Sequence, residues 1–217
     1  MDEQNVIPLI HHIDIDDARS WHFVISTSSS SSSLTEEGDQ QLKPIGTCRL
    51  LPPPHALLPK NGEVIFAPDG VEVPVRDAEE IFSEERLKKR VELLRQLEED
   101  EREKGESRIG EIYLQIGRLC VLKDWRGKGV ADALVQEVCR WASEKWRSIE
   151  REEGGSRACL EGAVSRGWQG LILVHARVEA VTMWERNGFV IDEALGRWEE
   201  AGIKHVGMVR RVIVVEE

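Results

Sequence analysis

The chain has 217 residues and a formal net charge of -11, with 41% hydrophobic and 32% charged residues. This length accommodates one domain with insertions, and the acidic balance excludes a nucleic-acid partner, because phosphate binding requires a basic surface. No run of about 18 apolar residues is present and the acidic start lacks the features of a secretory signal, so we expect no membrane partner and a cytoplasmic location, with the nucleus left open.

Strand patterns dominate the first part of the chain. Trp21 to Thr27 and Ile45 to Leu51 have strand composition and are predicted to pair around a serine-rich loop at 28–41. The proline run at 52–54 ends the second strand, because proline cannot donate to a ladder. An insertion at about 54–107 follows, which begins with turn residues and continues as a charged helix predicted within Asp77 to Glu106. We interpret this helix as solvated, with a partner-binding helix as the alternative.

Strands and helices alternate in the second half of the chain. In order, the predicted elements are a strand at Glu111 to Leu122, a helix at Gly129 to about Arg147, a strand at Leu171 to His175, a helix at Glu179 to Asn187, and strands around Val190 to Trp198 and Val206 to Val215. This order indicates an α/β or α+β sheet protein, and we expect a single domain over residues 1–217.

The cysteines are spread widely along the chain. None has the C-x-x-C spacing of a zinc or redox site, which predicts reduced thiols and no metal centre. They are Cys48, Cys120, Cys139 and Cys159.

A glycine-bearing turn joins the strand that ends near Leu122 to the helix after it. Backbone N–H groups and the helix dipole converge at such a turn and attract an anion. Gly127 and Gly129 allow close approach, Arg126 and Lys128 add positive charge at 126–131, and the sequence lacks the motifs of nucleotide hydrolysis or dinucleotide redox sites. We therefore predict a pyrophosphate site, with a basic turn that binds nothing as the alternative.

The surroundings of this turn resemble the GNAT superfamily of N-acetyltransferases. Motif A of that family is Gln/Arg-x-x-Gly-x-Gly/Ala after a strand with the pattern Leu-x-Val, and here Leu-Cys-Val at 119–121 precedes Arg-Gly-Lys-Gly-Val-Ala at 126–131. A strand that ends at Ala176 and a short helix before Gly188-Phe189 also match. The resemblance implies acetyl-CoA binding by Leu119, Cys120, Val121, Arg126, Gly127, Lys128, Gly129, Val130 and Ala131.

Two further segments resemble the ElaA-like branch of the superfamily. The tail at 200–208 looks like its Gly-Ile-Pro-His-x-x-Met ending, and Asp14-x-x-Asp17 with His22 looks like its acidic motif. The implied fold is a mixed, mostly antiparallel sheet with splayed middle strands flanked by helices, here with an inserted charged helix. The family's first strand and helix have no counterpart before Asp14, so either the start is truncated or the substrate wall is shortened.

The resemblance implies direct attack of a neutral amine on acetyl-CoA in a ternary complex, with a backbone N–H of 119–121 supporting the oxyanion. Trp184 stands where many members have an acidic tyrosine, and we interpret it as a cover for the thioester, with a core tryptophan as the alternative. His205 is the first candidate for the general base. Acceptor contacts are assigned to His175, Glu199 and Asp17, with structural or solvated roles as their alternatives.

The acidic balance favours a small cationic acceptor, such as an amino sugar or a polyamine. Acetylation of protein lysines or N-termini is a second hypothesis, and a non-catalytic acyl-CoA sensor is a third, motivated by the missing tyrosine. A homodimer is left open.

Overall fold

The computed structural model describes residues 14–28, 42–65, 83–104, 109, 111–151 and 168–215. Its strands are β1 (Trp21–Ser28), β2 (Leu42–Leu51), β3 (Val64–Ile65), β4 (Leu114–Val121), β5 (Leu171–Arg177), β6 (Val190–Ile191), β7 (Arg197–Glu200) and β8 (Ile203–Arg211). Its α-helices are α1 (Glu84–Glu103), α2 (Val130–Arg151) and α3 (Val181–Arg186), and short 3-10 helices lie at Ile15–Arg19, Lys123–Trp125 and Val178–Ala180.

All of these strands belong to one sheet of eight, in the order β1-β2-β4-β5-β8-β7-β3, with β6 paired to β8. The pairs are antiparallel except β4–β5 and β3–β7. The predicted mixed, mostly antiparallel sheet with flanking helices is confirmed, and so is the pairing of the first two strands. None of the described helices is long and apolar enough to cross a membrane.

Three strands differ from the sequence prediction. The strand predicted around Val190 to Trp198 is divided into β6 and β7, because Asp192 to Gly196 form a turn in which the N–H groups of Leu195 and Gly196 donate to the carbonyl of Asp192. The turn residues after position 54 predict an irregular segment, but Val64–Ile65 within it forms β3 because the outer edge of β7 offers a parallel partner. The last strand begins at Ile203 rather than Val206, because Ala201 and Gly202 form a tight turn with φ of 50° and 76°. The serine-rich loop beyond Ser28 and the cysteine at 159 lie outside the described residues. Among the described residues, Cys48, Cys120 and Cys139 are free thiols.

The middle strands separate after a short stretch of pairing. β4 and β5 are in register from Leu114 with Ile172 to Ile116 with Val174. Beyond this point the register of β2 against β4 shifts, and Arg118 takes a left-handed backbone with φ of 54°. An extra residue in one strand bends it and increases its twist, so β4 follows β2 and leaves β5. The splayed middle strands are therefore explained by this bulge.

One face of the sheet packs against α2. Every second side chain of β4 and β5 packs against the apolar stripe of α2, and the side chains between them lie on the opposite face of the sheet. Residues of the α2 face include Leu114, Ile116, Leu134, Val138, Ile172 and Val174. On the opposite face, Tyr113, Leu171, Leu173 and Leu195 form a second cluster.

Residues 52–63, which we call the strap, cross this opposite face. At one end, His55 stacks on Tyr113 with ring centres 4.1 Å apart, and burial lowers the pKa of His55 to about 3. Leu58 packs on the second cluster in the middle. At the other end, the side-chain oxygen of Asn61 accepts a hydrogen bond of 2.9 Å from the backbone of Arg197 in β7.

The strap is fixed near its start by one buried guanidinium. Arg19 has a side chain only 2% exposed and pairs with Asp16 at 2.8 Å. Its two terminal nitrogens donate to the carbonyls of Pro52 at 2.7 Å and Pro54 at 2.6 Å. Arg90 of α1 reaches the same carboxylate at 3.1 Å, so one cluster joins the N-terminal 3-10 helix, the strap and α1.

We expect Arg19→Met to lower the free energy of unfolding by about 3 to 5 kcal/mol, because it leaves a buried carboxylate and two carbonyls without their donor. Burial raises the pKa of Asp16, but Arg19 and Arg90 more than offset this effect and hold the pKa below its usual value. The stabilisation is therefore complete above the pKa of an unfolded aspartate, about 3.9, and is lost as the pH falls below it.

Denaturant unfolding of the variant between acidic and neutral pH measures both effects. Arg90→Met is the matched control, since Arg90 touches the same carboxylate but is 29% exposed. Equal losses of unfolding free energy in Arg19→Met and Arg90→Met would contradict the central role of Arg19 in fixing the strap.

Candidate functional site

The turn before α2 is built on two left-handed glycines. Gly127 and Gly129 have φ of 71° and 77°, a conformation that residues with a Cβ rarely adopt. The carbonyl of Gly129 accepts the first hydrogen bond of the helix, from Ala133 at 2.9 Å. Gly129 therefore marks the helix N-terminus, directly after β4 and the 3-10 turn at Lys123–Trp125.

The space in front of this turn suits an anion. A Cβ built on Gly127 or Gly129 would meet no protein atom within 4 Å. The first N–H groups of a helix have no acceptor within it, and the dipole makes this end electropositive. Lys128 and Arg126 are exposed beside it, with the Lys128 ammonium 4.9 Å from the Trp125 ring centre. Residues 126–131 thus offer donors, charge and room for a pyrophosphate, and we call them the phosphate loop.

The gap between β4 and β5 exposes backbone donors. The N–H of Leu122 points toward β2, since it donates to the carbonyl of Ile45 at 2.9 Å. Backbone groups alternate along a strand, so the N–H groups of Val121 and Leu119 point toward β5, where pairing has already ended. Arg126 donates to the carbonyl of Val121 at 3.3 Å, which agrees with this direction. Two peptide N–H groups therefore face the gap.

Three rings lie in a row on the sheet face opposite α2. His205 is in register with Trp198 of β7 on one side and with Arg177 of β5 on the other. Ring centres are 5.9 Å apart between His205 and Trp198, which are stacked, and 4.7 Å apart between Trp198 and His175, which meet edge to face. The structure thus brings together two of the predicted residues, His205 and His175, through a tryptophan that the sequence analysis did not select.

His205 has the tautomer and environment of a base. Its Nδ1 lies 2.9 Å from the carbonyl of Ile203, which can only accept, so Nδ1 carries the proton and Nε2 keeps its lone pair. Burial lowers the pKa of His205 below its usual value, aided by Arg177, while Glu200 and Glu179 oppose the shift. The ring is therefore neutral near pH 7.

Glu199 and Glu200 point to different faces. Strand alternation puts Glu200 on the side of Trp198 and His205, and Glu199 on the other side with its partner Lys204. Of the two carboxylates, Glu200 is thus the one on the histidine face, which the sequence does not reveal because it depends on register. The role of Glu199 as an acceptor contact stays a prediction.

Asp17 is engaged by the protein itself. One carboxylate oxygen accepts from Arg49 at 2.7 Å, and the other accepts from the backbone of Asp14 at 2.8 Å. Asp14 returns the contact by accepting from the backbone of Asp17 at 3.1 Å, which completes a capping box for the 3-10 helix. The assignment of Asp17 to the acceptor stays a prediction, and its contacts place it in a structural network.

Trp184 lies in the main core cluster, which also contains Val130 of the phosphate loop, rather than among the rings. It is 5% exposed and meets Phe189 edge to face at 5.0 Å. The neighbouring Asn187 donates to Asp132 in the first turn of α2 at 2.7 Å, and so ties α3 to the helix that carries the loop. A role of Trp184 at the thioester stays a prediction, and among the described residues no cluster of His, Cys, Asp or Glu could hold a metal.

Part of this chain matches a known protein family. No curated protein sequence matches the chain. A crystal structure of a protein from Lactobacillus plantarum, described as a "putative N-acetyltransferase", has 16% sequence identity to this chain and a TM-score of 0.36. The alignment covers 82% of this chain and 64% of that chain. Residues 96–191 match the family model of the acetyltransferase (GNAT) domain. This segment, which contains β4, the phosphate loop, α2, β5 and α3 and is slightly under half of the chain, is therefore similar to a GNAT-type acyltransferase domain.

Proposed function

We propose that this protein is an acetyl-CoA-dependent N-acetyltransferase that acts on a primary amine by direct attack in a ternary complex. The observation that carries the proposal is the gap between β4 and β5. It has the phosphate loop at the head of α2 on one side and His175, Trp198 and His205 on the opposite face of the sheet. A donor held at the loop and an acceptor held at the rings would meet there.

Acetyl-CoA fits the donor side, and when bound it supplies an acetyl thioester. The first N–H groups of α2, with Arg126 and Lys128, would hold its pyrophosphate, because this turn has donors, charge and free space. The N–H groups of Leu119 and Val121 would hold carbonyl oxygens in the gap. One of them would support the oxyanion, since a preorganised donor stabilises charge that develops during the reaction.

On the acceptor side, His205 is proposed as the general base. An alkyl ammonium has a pKa of about 10, so a proton must leave the amine before it can attack. The Nε2 lone pair of His205 is free to take it, because Nδ1 already donates to Ile203. The group that departs when the thioester bond breaks is a thiolate, and since a thiol has a pKa of about 8.5, water can supply its proton and Trp184 need not act as an acid.

Charge on the histidine face supports a small cationic acceptor. Glu200 and Glu179 raise the pKa of His205 and Arg177 lowers it, so two carboxylates and one guanidinium act on the proposed base. An amino sugar or a polyamine carries the positive charge that the two carboxylates would attract. We also propose that residues 1–217 form one domain of the ElaA-like branch, with the serine-rich loop at 28–41 and the segment 54–107 as insertions.

Release of CoA from acetyl-CoA with a panel of amines tests the proposal. We expect turnover with an amino sugar such as glucosamine or a polyamine such as spermidine, well above hydrolysis without acceptor. Lysine-containing peptides and peptides with free N-termini are the comparison, and faster turnover on them would move the assignment to protein acetylation. Binding of acetyl-CoA with no turnover on any acceptor would instead identify a sensor.

A further inference from the structure

We propose that the ion pair between Asp14 and Arg118 is a positioning device for the donor site. It holds the bulge of β4 and so sets the direction of the Leu119 and Val121 N–H groups in the gap. The inference rests on the proposed function, since it concerns the residues that would hold the thioester. Arg118 is a positioning residue because it acts through the backbone that follows it.

The bulge is the point where the backbone of β4 is least favourable. Arg118 has φ of 54°, where a side chain crowds its own backbone. In the register with β2, Cys120 faces Thr47 and Gly117 faces Arg49, so two residues of β4 lie opposite one of β2. A left-handed residue with a Cβ persists only where its surroundings hold it.

The surroundings of Arg118 supply such a hold. Its guanidinium donates to one carboxylate oxygen of Asp14 at 2.7 Å. The other oxygen of Asp14 accepts from Arg49 at 2.8 Å, and Arg49 also donates to Asp17 at 2.7 Å. Arg49 is the β2 residue in register with Gly117, immediately before the bulge. The 3-10 helix and its N-cap residue Asp14 are therefore joined to β2 and to the bulge itself.

The strand beyond the bulge has support on one side only. Pairing with β5 ends at Ile116, whereas pairing with β2 continues to Val121. The direction of the two free N–H groups thus depends on how the chain turns at Arg118. Because a misplacement of about 1 Å at a reacting centre can cost on the order of a hundredfold in rate, small changes of the bulge should be visible in catalysis.

Three substitutions separate the ion pair from the backbone. Arg118→Ala removes the ion pair and keeps a Cβ at positive φ, Arg118→Gly removes the ion pair but suits the backbone, and Asp14→Asn removes the partner charge. We expect Arg118→Ala and Asp14→Asn each to weaken acetyl-CoA binding and to lower kcat by about tenfold or more. The double variant should bind acetyl-CoA as well as either single variant and have the same kcat. Affinity and kcat should fall less in Arg118→Gly than in Arg118→Ala. Arg118→Lys should recover part of the affinity and of the kcat that Arg118→Ala loses.

Calorimetry with acetyl-CoA and with adenosine 3′,5′-bisphosphate separates this role from a general loss of structure. The bisphosphate probes only the nucleotide end, so its affinity should stay unchanged in all variants. Arg211→Ala is the matched control, because Arg211 also forms an ion pair of partial exposure, with Glu111, at the far end of the sheet. Wild-type affinity for acetyl-CoA and wild-type kcat in Arg118→Ala would overturn the inference alone. Absence of acetyl-CoA binding by the wild-type protein would overturn the proposed function and this inference with it.

Discussion

Replacement of Gly129 by leucine is expected to weaken acetyl-CoA binding by at least about a hundredfold. The substitution places a side chain in the open space before α2 and forces a residue with a Cβ to adopt φ of 77°. Several charge-assisted hydrogen bonds to phosphate, each contributing about 1.5 to 3 kcal/mol, would be lost or distorted. A loss of about 2.8 kcal/mol already corresponds to a hundredfold in the dissociation constant.

Gly62 provides a matched control for this experiment. It has φ of 78° and equally open surroundings, but it lies in the strap. Gly62→Leu therefore introduces the same backbone strain without touching the phosphate loop. Calorimetry should show the wild-type dissociation constant for Gly62→Leu and a much larger one for Gly129→Leu, and undiminished affinity in Gly129→Leu would remove the loop from the donor site.

Replacement of His205 by alanine is expected to lower kcat by about 10² to 10⁴, the usual contribution of a positioned acid or base. The imidazole must be neutral to accept a proton, so the wild-type rate should rise with pH through the pKa of His205. Because burial lowers this pKa, the rise should be centred below the value of about 6.5 for an exposed histidine. The variant should lose this limb of the pH–rate profile as well as its rate.

The charged neighbours of His205 determine the direction in which its pKa, and with it the pH–rate profile, should shift when they are replaced. Glu200 raises the pKa of His205 and Arg177 lowers it. Glu200→Gln should therefore move the acidic limb to lower pH, and Arg177→Gln should move it to higher pH. Glu179 acts in the same direction as Glu200 and gives a further check. A limb that stays in place in both variants, or full activity of His205→Ala, would exclude His205 as the base.

The strand, turn and helix that form the proposed donor site could be predicted from the sequence because they are local. A strand, two glycines with flanking cations and an amphipathic helix follow one another within 119–151, and each leaves its own pattern. The hydrogen bond from Ala133 to Gly129 places the helix start where the glycines predict it. Neighbours in the chain are neighbours in space here, so little depends on tertiary pairing.

The arrangement of the proposed acceptor site could not be predicted in the same way because it depends on register between distant segments. A shift of one residue exchanges the faces of a strand, and this decides whether Glu199 or Glu200 accompanies His205. Arg118 has no sequence signal at all, since left-handed backbone is read from glycine or asparagine. Its conformation is set by the tertiary pairing of β4 with β2.

The strap also has a consequence for how the enzyme can be altered. It is tied down at both ends, by Arg19 at Pro52 and Pro54 and by Asn61 at β7, so the intervening residues form a bridge of fixed span. Leu58 and Pro59 of this bridge line a small pocket with His175 and Trp198, whereas the phosphate loop belongs to a different stretch of chain. Exchange of the bridge between homologues is therefore expected to change the packing around these two rings, on which the proposed acceptor site depends, and to leave the phosphate loop unchanged.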